Sequence, residues 1–193
     1  MTQGQRCDWC GTDPLYVAYH DQEWGVPEHD PRALWEKLVL DGFQAGLSWI
    51  TILRKREAFR ARFDGFDPER VARWGAVQID NALQDPGIIR HRGKIEAAVT
   101  GARAFLEIES GQGFSPFIWS FVDGRPIQND FALRSQVPVK SAQSEVMAKA
   151  LKGHGFKFCG PVITYAFMQA CGLVNDHMTD CPAHARVRAL SPA

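Results

Sequence analysis

Helix start signals recur along this sequence of 193 residues, and they are of one kind. A residue that can cap a helix stands directly before proline at four places: Asp13-Pro14, Asp30-Pro31, Asp67-Pro68 and Ser115-Pro116. Proline is favoured at the first helical position because its missing N–H is not needed there, and the oxygen of the preceding side chain accepts a hydrogen bond from a free backbone amide. The sequence therefore predicts four helix starts.

Apolar residues recur at helical spacing in the longer segments. In segment 31–42 one stripe consists of Leu34, Leu38 and Val39. In segment 90–109 another consists of Ile95, Ala98, Ala102 and Phe105. Ser141 has the chemistry of a helix cap, and Gly153 can end the helix that Ser141 begins. These patterns predict an all-α fold.

Strand patterns are scarce. Alternation of apolar and polar residues is limited to short pieces near Val122 and Val137, so we expect no sheet of any size. The stretch 123–140 is interpreted as a surface connection, and residues 186–193 have little to bury and are expected to fray. The chain length fits one compact core, and we predict a single domain over residues 1–193.

Bulk charge does not point to a nucleic-acid partner, because basic and acidic residues number 22 each. Basic clusters at 54–56, 90–94 and 152–157 can neutralise a few phosphates, although such runs are often solvated helix faces. The most apolar stretch, 43–53, is shorter than the ~18 residues of a membrane-span candidate, and no signal segment opens the sequence. We expect a cytoplasmic protein without membrane contact.

Five cysteines are an odd number in a chain without a secretory signal, which favours reduced thiols or a metal over a disulfide framework. Cys7 and His20 lie near the N-terminus, and His177 and Cys181 form a His-x3-Cys pair near the C-terminus. Two thiolates and two imidazoles are ligands that tetrahedral structural zinc prefers. Spacing alone leaves open that these residues are unrelated, and that Cys10 replaces Cys7.

The N-terminal quarter is rich in aromatic residues, and an aspartate and a glutamine stand among the last of them: Tyr16, Tyr19, Trp24, Trp35, Asp41, Phe43, Gln44 and Trp49. An enzyme that acts on a DNA base extrudes it, stacks it on aromatic rings and reads its edge by hydrogen bonds. A cationic base adds cation–π attraction and favours a nearby carboxylate. An alternative interpretation is that the aromatic residues simply pack in the core and that Asp41 is an ordinary exposed carboxylate on a helix.

Longer segments across nearly the whole chain resemble one enzyme family. They are DPLYVAYHDQEWGVP (13–27), QAGLSWI (44–50), GIIRHRGKI (87–95), GFKF (155–158) and MQACGLVNDH (168–177). Together these segments resemble the DNA-3-methyladenine glycosylase I family. The resemblance implies an all-α helix-hairpin-helix glycosylase fold, with the hairpin near 152–164.

In that fold the hairpin holds the DNA backbone through main-chain amides. Gly155 and Gly160 fall within the matching stretch, where glycine permits close approach of the backbone, and amides at the start of the next helix favour a phosphate. Ordinary helix termination explains the same glycines equally well.

The resemblance also implies roles for individual side chains. Cys7, His20, His177 and Cys181 fall on the positions of a structural zinc that joins the N- and C-terminal segments. Tyr16 and Trp49 fall on base-stacking positions, with Gln44 as a weaker pocket candidate. Asp41 stands where the family has a glutamate and is the expected catalytic and recognition carboxylate. Because aspartate is one methylene shorter, its contact with the base could run through a water molecule.

The activity implied is hydrolysis of the N-glycosidic bond of 3-methyladenine in alkylated double-stranded DNA. The enzyme is expected to be monofunctional, without lyase activity, to act as a monomer and to release the free base. Two other classes are open: a zinc-stapled protein that binds damaged DNA without hydrolysis, and a helical interaction module with structural zinc. Release of free base separates the first reading from both.

Overall fold

The computed structural model describes residues 5–190, and most of that range is helical, as the sequence predicted. The α-helices of this range, in chain order, are α1 (Pro14–Gln22), α2 (Pro31–Gln44), α3 (Trp49–Arg62), α4 (Pro68–Ala72), α5 (Ala76–Gln84), α6 (Arg92–Gly111), α7 (Phe114–Trp119), α8 (Ala142–Gly153), α9 (Pro161–Ala170) and α10 (Pro182–Arg188). Short 3-10 turns lie at Asp8–Cys10, Asp64–Phe66, Ser120–Val122 and Arg134–Gln136. Within the described range, no helix is both long and apolar enough to cross a membrane.

The only strands within residues 5–190 are two short ones, β1 (Ile127–Gln128) and β2 (Val174–Asn175), which pair in parallel. The strand candidates near Val122 and Val137 are wrong, because Val122 ends a 3-10 turn and Val137 directly follows another. The stretch 123–140 is largely exposed, yet β1 ties it to the segment that follows α9.

Three of the four predicted helix starts are confirmed. The side chains of Asp13, Asp30 and Asp67 cap α1, α2 and α4, and each helix has proline at its first position. In α2, for example, Oδ1 of Asp30 accepts a 2.7 Å hydrogen bond from the amide of Ala33.

The fourth start is wrong. Helix α7 begins at Phe114, after Gly113 in the left-handed region (φ 85°), so Ser115 and Pro116 lie inside its first turn. Glu109 at the end of α6 accepts a 2.6 Å hydrogen bond from the amide of Phe114, whose ring is buried. Proline is tolerated there because amides of the first turn have no helical partner.

The predicted apolar stripes of α2 and α6 face one core. Leu34 and Leu38 of α2 and Ile95 and Phe105 of α6 are buried in it, whereas Val39 is only partly buried at its edge. Helix α2 packs against α3, α6 and α9. Its last turns therefore reach the place where these helices meet.

Helices α8 and α9 are joined by a tight turn over residues 154–160. Ser141 caps α8, as predicted, but the helix runs through Gly153, and the left-handed residue that ends it is Gly155 (φ 94°). The amide of Phe156 then donates to the carbonyl of Leu151 (3.0 Å), which satisfies an end carbonyl of α8. Gly160 directly precedes α9.

The segment expected to fray, 186–193, is helical through Arg188. Val187 is fully buried, and Arg188 forms a 2.6 Å ion pair with Asp130, so these residues have more to bury and to bind than the sequence suggested. Residues 191–193 lie outside the described part of the chain, and the prediction stands untested for them.

Candidate functional site

A cavity of about 400 Å³ lies between α1, the end of α2, the start of α3 and one side of α9. All four side chains predicted for base binding or recognition line it: Tyr16, Asp41, Gln44 and Trp49. Most of its other walls come from Trp9, Trp24, Arg134, Val137, Pro138, Val139, Val162, Tyr165, Ala166, Gln169, Asp176 and Met178. The structure therefore brings the predicted pocket residues together, while their contacts with a base stay predictions.

Asp41 lies in the last turn of α2 and is only 2% exposed. Its Oδ2 is buried and has no hydrogen-bond partner among the described residues. Burial raises the pKa of this carboxyl to about 8, and the charge of Lys37 opposes the rise. The alternative of an exposed helix carboxylate is wrong, and the side chain has instead an unsatisfied oxygen at the cavity wall.

Two aromatic pairs flank the cavity. The rings of Tyr19 and Trp49 are 5.4 Å apart between centroids, and the rings of Trp9 and Tyr16 are 5.0 Å apart with an edge-to-face geometry. Tyr19 and Trp9 were not predicted as partners of the clamp. Tyr19 follows Tyr16 by three residues, a spacing that places both on one side of α1.

Two indole nitrogens in this region are hydrogen-bond donors without a partner within residues 5–190. The Nε1 atoms of Trp9 and Trp49 are buried without a hydrogen-bond partner in the described range, and both tryptophans line the cavity. A buried polar atom that lacks a partner is unfavourable by ~1–3 kcal/mol. The residues that line the cavity thus include two unpartnered indole donors and the Asp41 carboxyl.

A second carboxylate lies in the opposite wall and was missed at the level of sequence. Asp176 accepts hydrogen bonds from the hydroxyl of Tyr165 (2.7 Å), Nε2 of Gln169 (2.8 Å) and Nδ2 of Asn129 (2.7 Å). These bonds tie α9 to the segment after β2. Nothing in the local sequence shows such partners, because Asn129 is 47 residues away.

Cys7, His20, His177 and Cys181 form one buried cluster whose ligand atoms all lie within 4.8 Å of one another. Cys7 Sγ is 3.7 Å from His177 Nδ1, and Cys181 Sγ is 3.6 Å from His20 Nε2 and 3.9 Å from His177 Nδ1. The reading of four unrelated residues is therefore wrong. This group has the donor set and the spacing to hold a metal ion.

Neighbouring groups orient both imidazoles toward the centre of the cluster. His20 Nδ1 donates to Asp21 (2.8 Å) and His177 Nε2 donates to the carbonyl of Trp24 (3.0 Å), so the other ring nitrogen of each is a free acceptor. Cys10 does not take part, since its thiol lies 3.2 Å from the carbonyl of Cys7. The buried cluster therefore contains Cys7 and not Cys10.

Gly155 and Gly160 lie on the exposed turn between α8 and α9. Gly155 has a positive φ, whereas Gly160 has φ −66° and ψ 163°, and a Cβ built on either would meet no atom within 4 Å. No side chain caps the first turn of α9. Phe158 on the same turn is 37% exposed.

Comparisons with known proteins agree with this architecture. A family model described as methyladenine glycosylase matches residues 9–184. DNA-3-methyladenine glycosylase 1 of Escherichia coli is 52% identical over 178 residues, which cover 92% of this chain and 95% of that protein. A DNA-3-methyladenine glycosylase of Haemophilus influenzae is also 52% identical, over 92% of this chain and 96% of its own.

Solved structures resemble the fold closely. A crystal structure of 3-methyladenine DNA glycosylase I superimposes with a TM-score of 0.92 and 55% identity, over 93% of this chain and all of that one. The enzyme of the same name from Staphylococcus aureus, in a structure described as the basis of its 3-methyladenine recognition, gives a TM-score of 0.90 and 41% identity over 92% and 95% of the two chains.

The family model covers most of the chain, two relatives are half identical over nearly their full length, and a solved structure superimposes over 93% of this chain. The chain therefore belongs to the methyladenine glycosylase family and is a glycosylase, a hydrolase that acts on N-glycosyl bonds.

Proposed function

We propose that this protein excises 3-methyladenine from alkylated double-stranded DNA by hydrolysing the bond between base and sugar. The observation that carries the proposal is the buried Asp41 carboxyl, with an unpartnered oxygen in a cavity walled by aromatic rings. The relatives named as 3-methyladenine glycosylases, one of them solved in complex with 3-methyladenine, support the same substrate.

Hydrolysis of this N-glycosidic bond needs little acid catalysis by the protein. Methylation at N3 puts positive charge on the adenine ring, so the base leaves readily as a neutral molecule. The sugar passes through an oxocarbenium-like state, and water adds to its anomeric carbon while a proton is lost to solvent. The protein has to extrude the nucleotide, distinguish the modified base and stabilise positive charge.

Selection of the cation is the task we assign to Asp41. An ionised carboxylate gains Coulomb energy from a methylated base and none from normal adenine, and in a buried site this difference is large. The positive base also favours the ionised form of Asp41 and offsets the desolvation that raises its pKa. Tyr16 and Trp49 stack on the base, and Gln44 contributes polar contacts from the end of α2.

We assign the reaction to a monofunctional glycosylase. A lyase activity proceeds through a Schiff base on an amine, usually that of a lysine. Among the described residues that line the cavity, arginine is present but lysine is not. This composition supports hydrolysis without strand cleavage. A cytoplasmic location and a monomeric state stay predictions of the sequence.

For the buried cluster we propose structural zinc. Zinc–sulfur and zinc–nitrogen bonds of about 2.3 and 2.0 Å in a tetrahedron place sulfur and nitrogen ligands roughly 3.5 Å apart, close to the 3.6–3.9 Å between the thiols and imidazoles here. Four protein ligands leave no open position. The metal would hold the N-terminal segment against the C-terminal one and take no part in the reaction.

The turn between α8 and α9 is the proposed hairpin of a helix-hairpin-helix. Its exposed glycines let a phosphate approach the main chain, and the uncapped amides of α9 supply hydrogen bonds together with the positive end of the helix dipole. Such contacts bind any duplex and carry no sequence information.

Released bases test the proposal. Duplex DNA treated with a methylating agent is incubated with the protein, and the free bases are identified by mass spectrometry. We expect 3-methyladenine, and sugar–phosphate strands that stay intact until alkali is added. Preferential binding without base release would identify a damage-binding protein instead, and neither binding nor release would leave an interaction module.

A further inference from the structure

Lys37 lies behind the cavity, one helical turn before Asp41 on α2. Its Nζ donates a 3.3 Å hydrogen bond to the carbonyl of Ala170 and is 3.9 Å from Oε2 of Glu28. Ala170 is the last residue of α9, where the helix dipole favours a cation. Since the side chain is only 19% exposed, the ammonium is held at one position rather than moving freely in solvent.

The helix geometry couples this ammonium to Asp41. Residues four apart lie on the same face of a helix, and Asp41 leans toward the N-terminal side, where Lys37 lies. Both side chains face α9, because Lys37 bonds to its last carbonyl and Asp41 shares the cavity with Ala166 and Gln169. Side chains at this spacing are neighbours on the helix surface, with Cβ atoms about 5–6 Å apart, and a buried, unpartnered carboxylate responds to a charge placed nearby.

Two further ionisable groups near Asp41 do not supply positive charge. They are Tyr19 of α1 and Cys171, which directly follows α9, and burial raises the pKa of both so that they stay neutral. Asp176 in the far wall of the cavity is acidic. Arg134 lines the same cavity, but its guanidinium lies 3.7 Å from the carboxylate of Asp8. Lys37 is the cation that opposes the rise of the Asp41 pKa that burial causes.

We propose that Lys37 is a positioning residue of this enzyme, whose fixed ammonium favours the ionised form of Asp41 that binds the cationic base. This inference rests on the recognition role proposed for Asp41. Lys37 itself does not touch the cavity. Its effect on the reaction runs through the protonation state of Asp41, so it should depend on pH in a manner that a packing role would not.

A direct test is the titration of Asp41 in the free protein, followed by the carbon-13 shift of its carboxyl group. Lys37→Met keeps the length of the side chain and removes the charge, and we expect the Asp41 pKa to rise by about one pH unit. Lys37→Arg keeps the charge and should keep the pKa. Lys55→Met is the matched control, since Lys55 bonds to the carbonyl of Pro86 on an exposed face.

The reaction gives a second readout. With enzyme in limiting amount, Lys37→Met should excise 3-methyladenine about tenfold more slowly at neutral pH, because a shift of one unit changes the ionised fraction tenfold below the pKa. The rates of variant and parent should converge at alkaline pH. In an Asp41→Asn background, Lys37→Met should have no further effect.

Two results would overturn the inference: an unchanged Asp41 pKa in folded Lys37→Met, or a loss of rate that is the same at every pH. If Lys37→Met does not fold, an Asp41 pKa that stays in place in Lys37→Gln overturns it equally. Failure of the proposed function is distinguishable, because it appears as full activity of Asp41→Asn while the titration of Asp41 still reports on Lys37.

Discussion

At the scale of the residue, Asp41 combines burial with an unsatisfied oxygen. Most carboxylates avoid this combination, because desolvation of the charged form is unfavourable unless it is paired. In the free protein the result is a pKa near 8, and in the proposed complex the positive base is the missing partner. Asp41 therefore lowers the stability of the free protein, and in the proposed complex it distinguishes the cationic base from normal adenine.

Asp41→Asn should accordingly stabilise the protein at alkaline pH. The folded-state pKa of about 8 lies above the ordinary 3.8, so ionisation favours the unfolded chain, and the cost grows as pH rises from about 4 to 8 and is constant above. We expect the variant to have the larger free energy of unfolding at pH 9, and the difference to shrink toward pH 4. Urea denaturation at both pH values measures it, and equal stabilities at pH 9 would contradict the burial argument.

The helical spacing of Asp41 from Leu34 and Leu38 indicated that it is buried, although its polarity suggested an exposed position. Position 41 continues the stripe of Leu34 and Leu38, being three residues beyond Leu38 on the face that packs into the core. The resemblance identified the residue as a recognition carboxylate, but only the fold shows that no side chain of the described range satisfies Oδ2. The network of Asp176 had no comparable signal, since its partners come from different elements.

At the scale of the element, local chemistry predicted helices better than their exact starts. Aspartate before proline fixed α1, α2 and α4, because cap and proline act within four residues. Ser115-Pro116 failed because Gly113 and Glu109 offer an earlier start that also buries Phe114. The start of α7 depends on contacts with other parts of the chain, and a rule based on two adjacent residues does not include such contacts.

The turn between α8 and α9 yields a prediction about DNA binding. Gly160→Val should fold, since a Cβ there meets no atom within 4 Å and φ is −66°, but the larger side chain should crowd a phosphate at the start of α9. Loss of one charge-assisted hydrogen bond, about 1.5 kcal/mol, weakens duplex binding roughly tenfold with or without damage. Fluorescence anisotropy over a salt series measures it.

Two neighbouring glycines serve as controls for that experiment. Gly153→Ala lies at the end of α8 in open space and should leave DNA affinity unchanged. Gly155→Ala should lower stability, because φ is 94° there, so its effect on binding is harder to interpret. A folded Gly160→Val with the parent's affinity and salt dependence would show that the hairpin assignment is wrong.

At the scale of the whole molecule, α9 connects the three regions for which functions are proposed. It begins at the exposed turn, lines the cavity with Tyr165 and Gln169, and leads through β2 to His177 in the buried cluster. The two halves of that cluster are 170 residues apart between Cys7 and His177. No spacing rule joins such distant residues, so the ligand set was predictable from resemblance but not from the residues alone.

The cluster predicts one zinc ion per chain. Elemental analysis of the purified protein should find it, Cys7→Ala should lose it, and Cys10→Ala should keep it, because the Cys10 thiol points to a carbonyl instead. A site filled at 100 times its dissociation constant adds about 2.7 kcal/mol, so chelation should lower Tm by roughly 5–10 °C. An unchanged Tm after complete chelation, or a Cys7→Ala variant that still binds the metal, would rule out a structural zinc at this cluster.

The central claim is that the charge of Asp41 selects the cationic base, and single-turnover excision tests it most directly. Asp41→Asn keeps size and removes charge, and a partly desolvated charged interaction of ~1.5–3 kcal/mol corresponds to roughly a ten- to hundredfold loss in rate. Asp41→Glu, which keeps the charge and lengthens the side chain by one methylene, should retain or raise the rate. Single-turnover conditions keep slow product release from masking the bond-breaking step. We predict the loss for Asp41→Asn with fold and zinc content intact, and excision at the parent's rate would contradict the account.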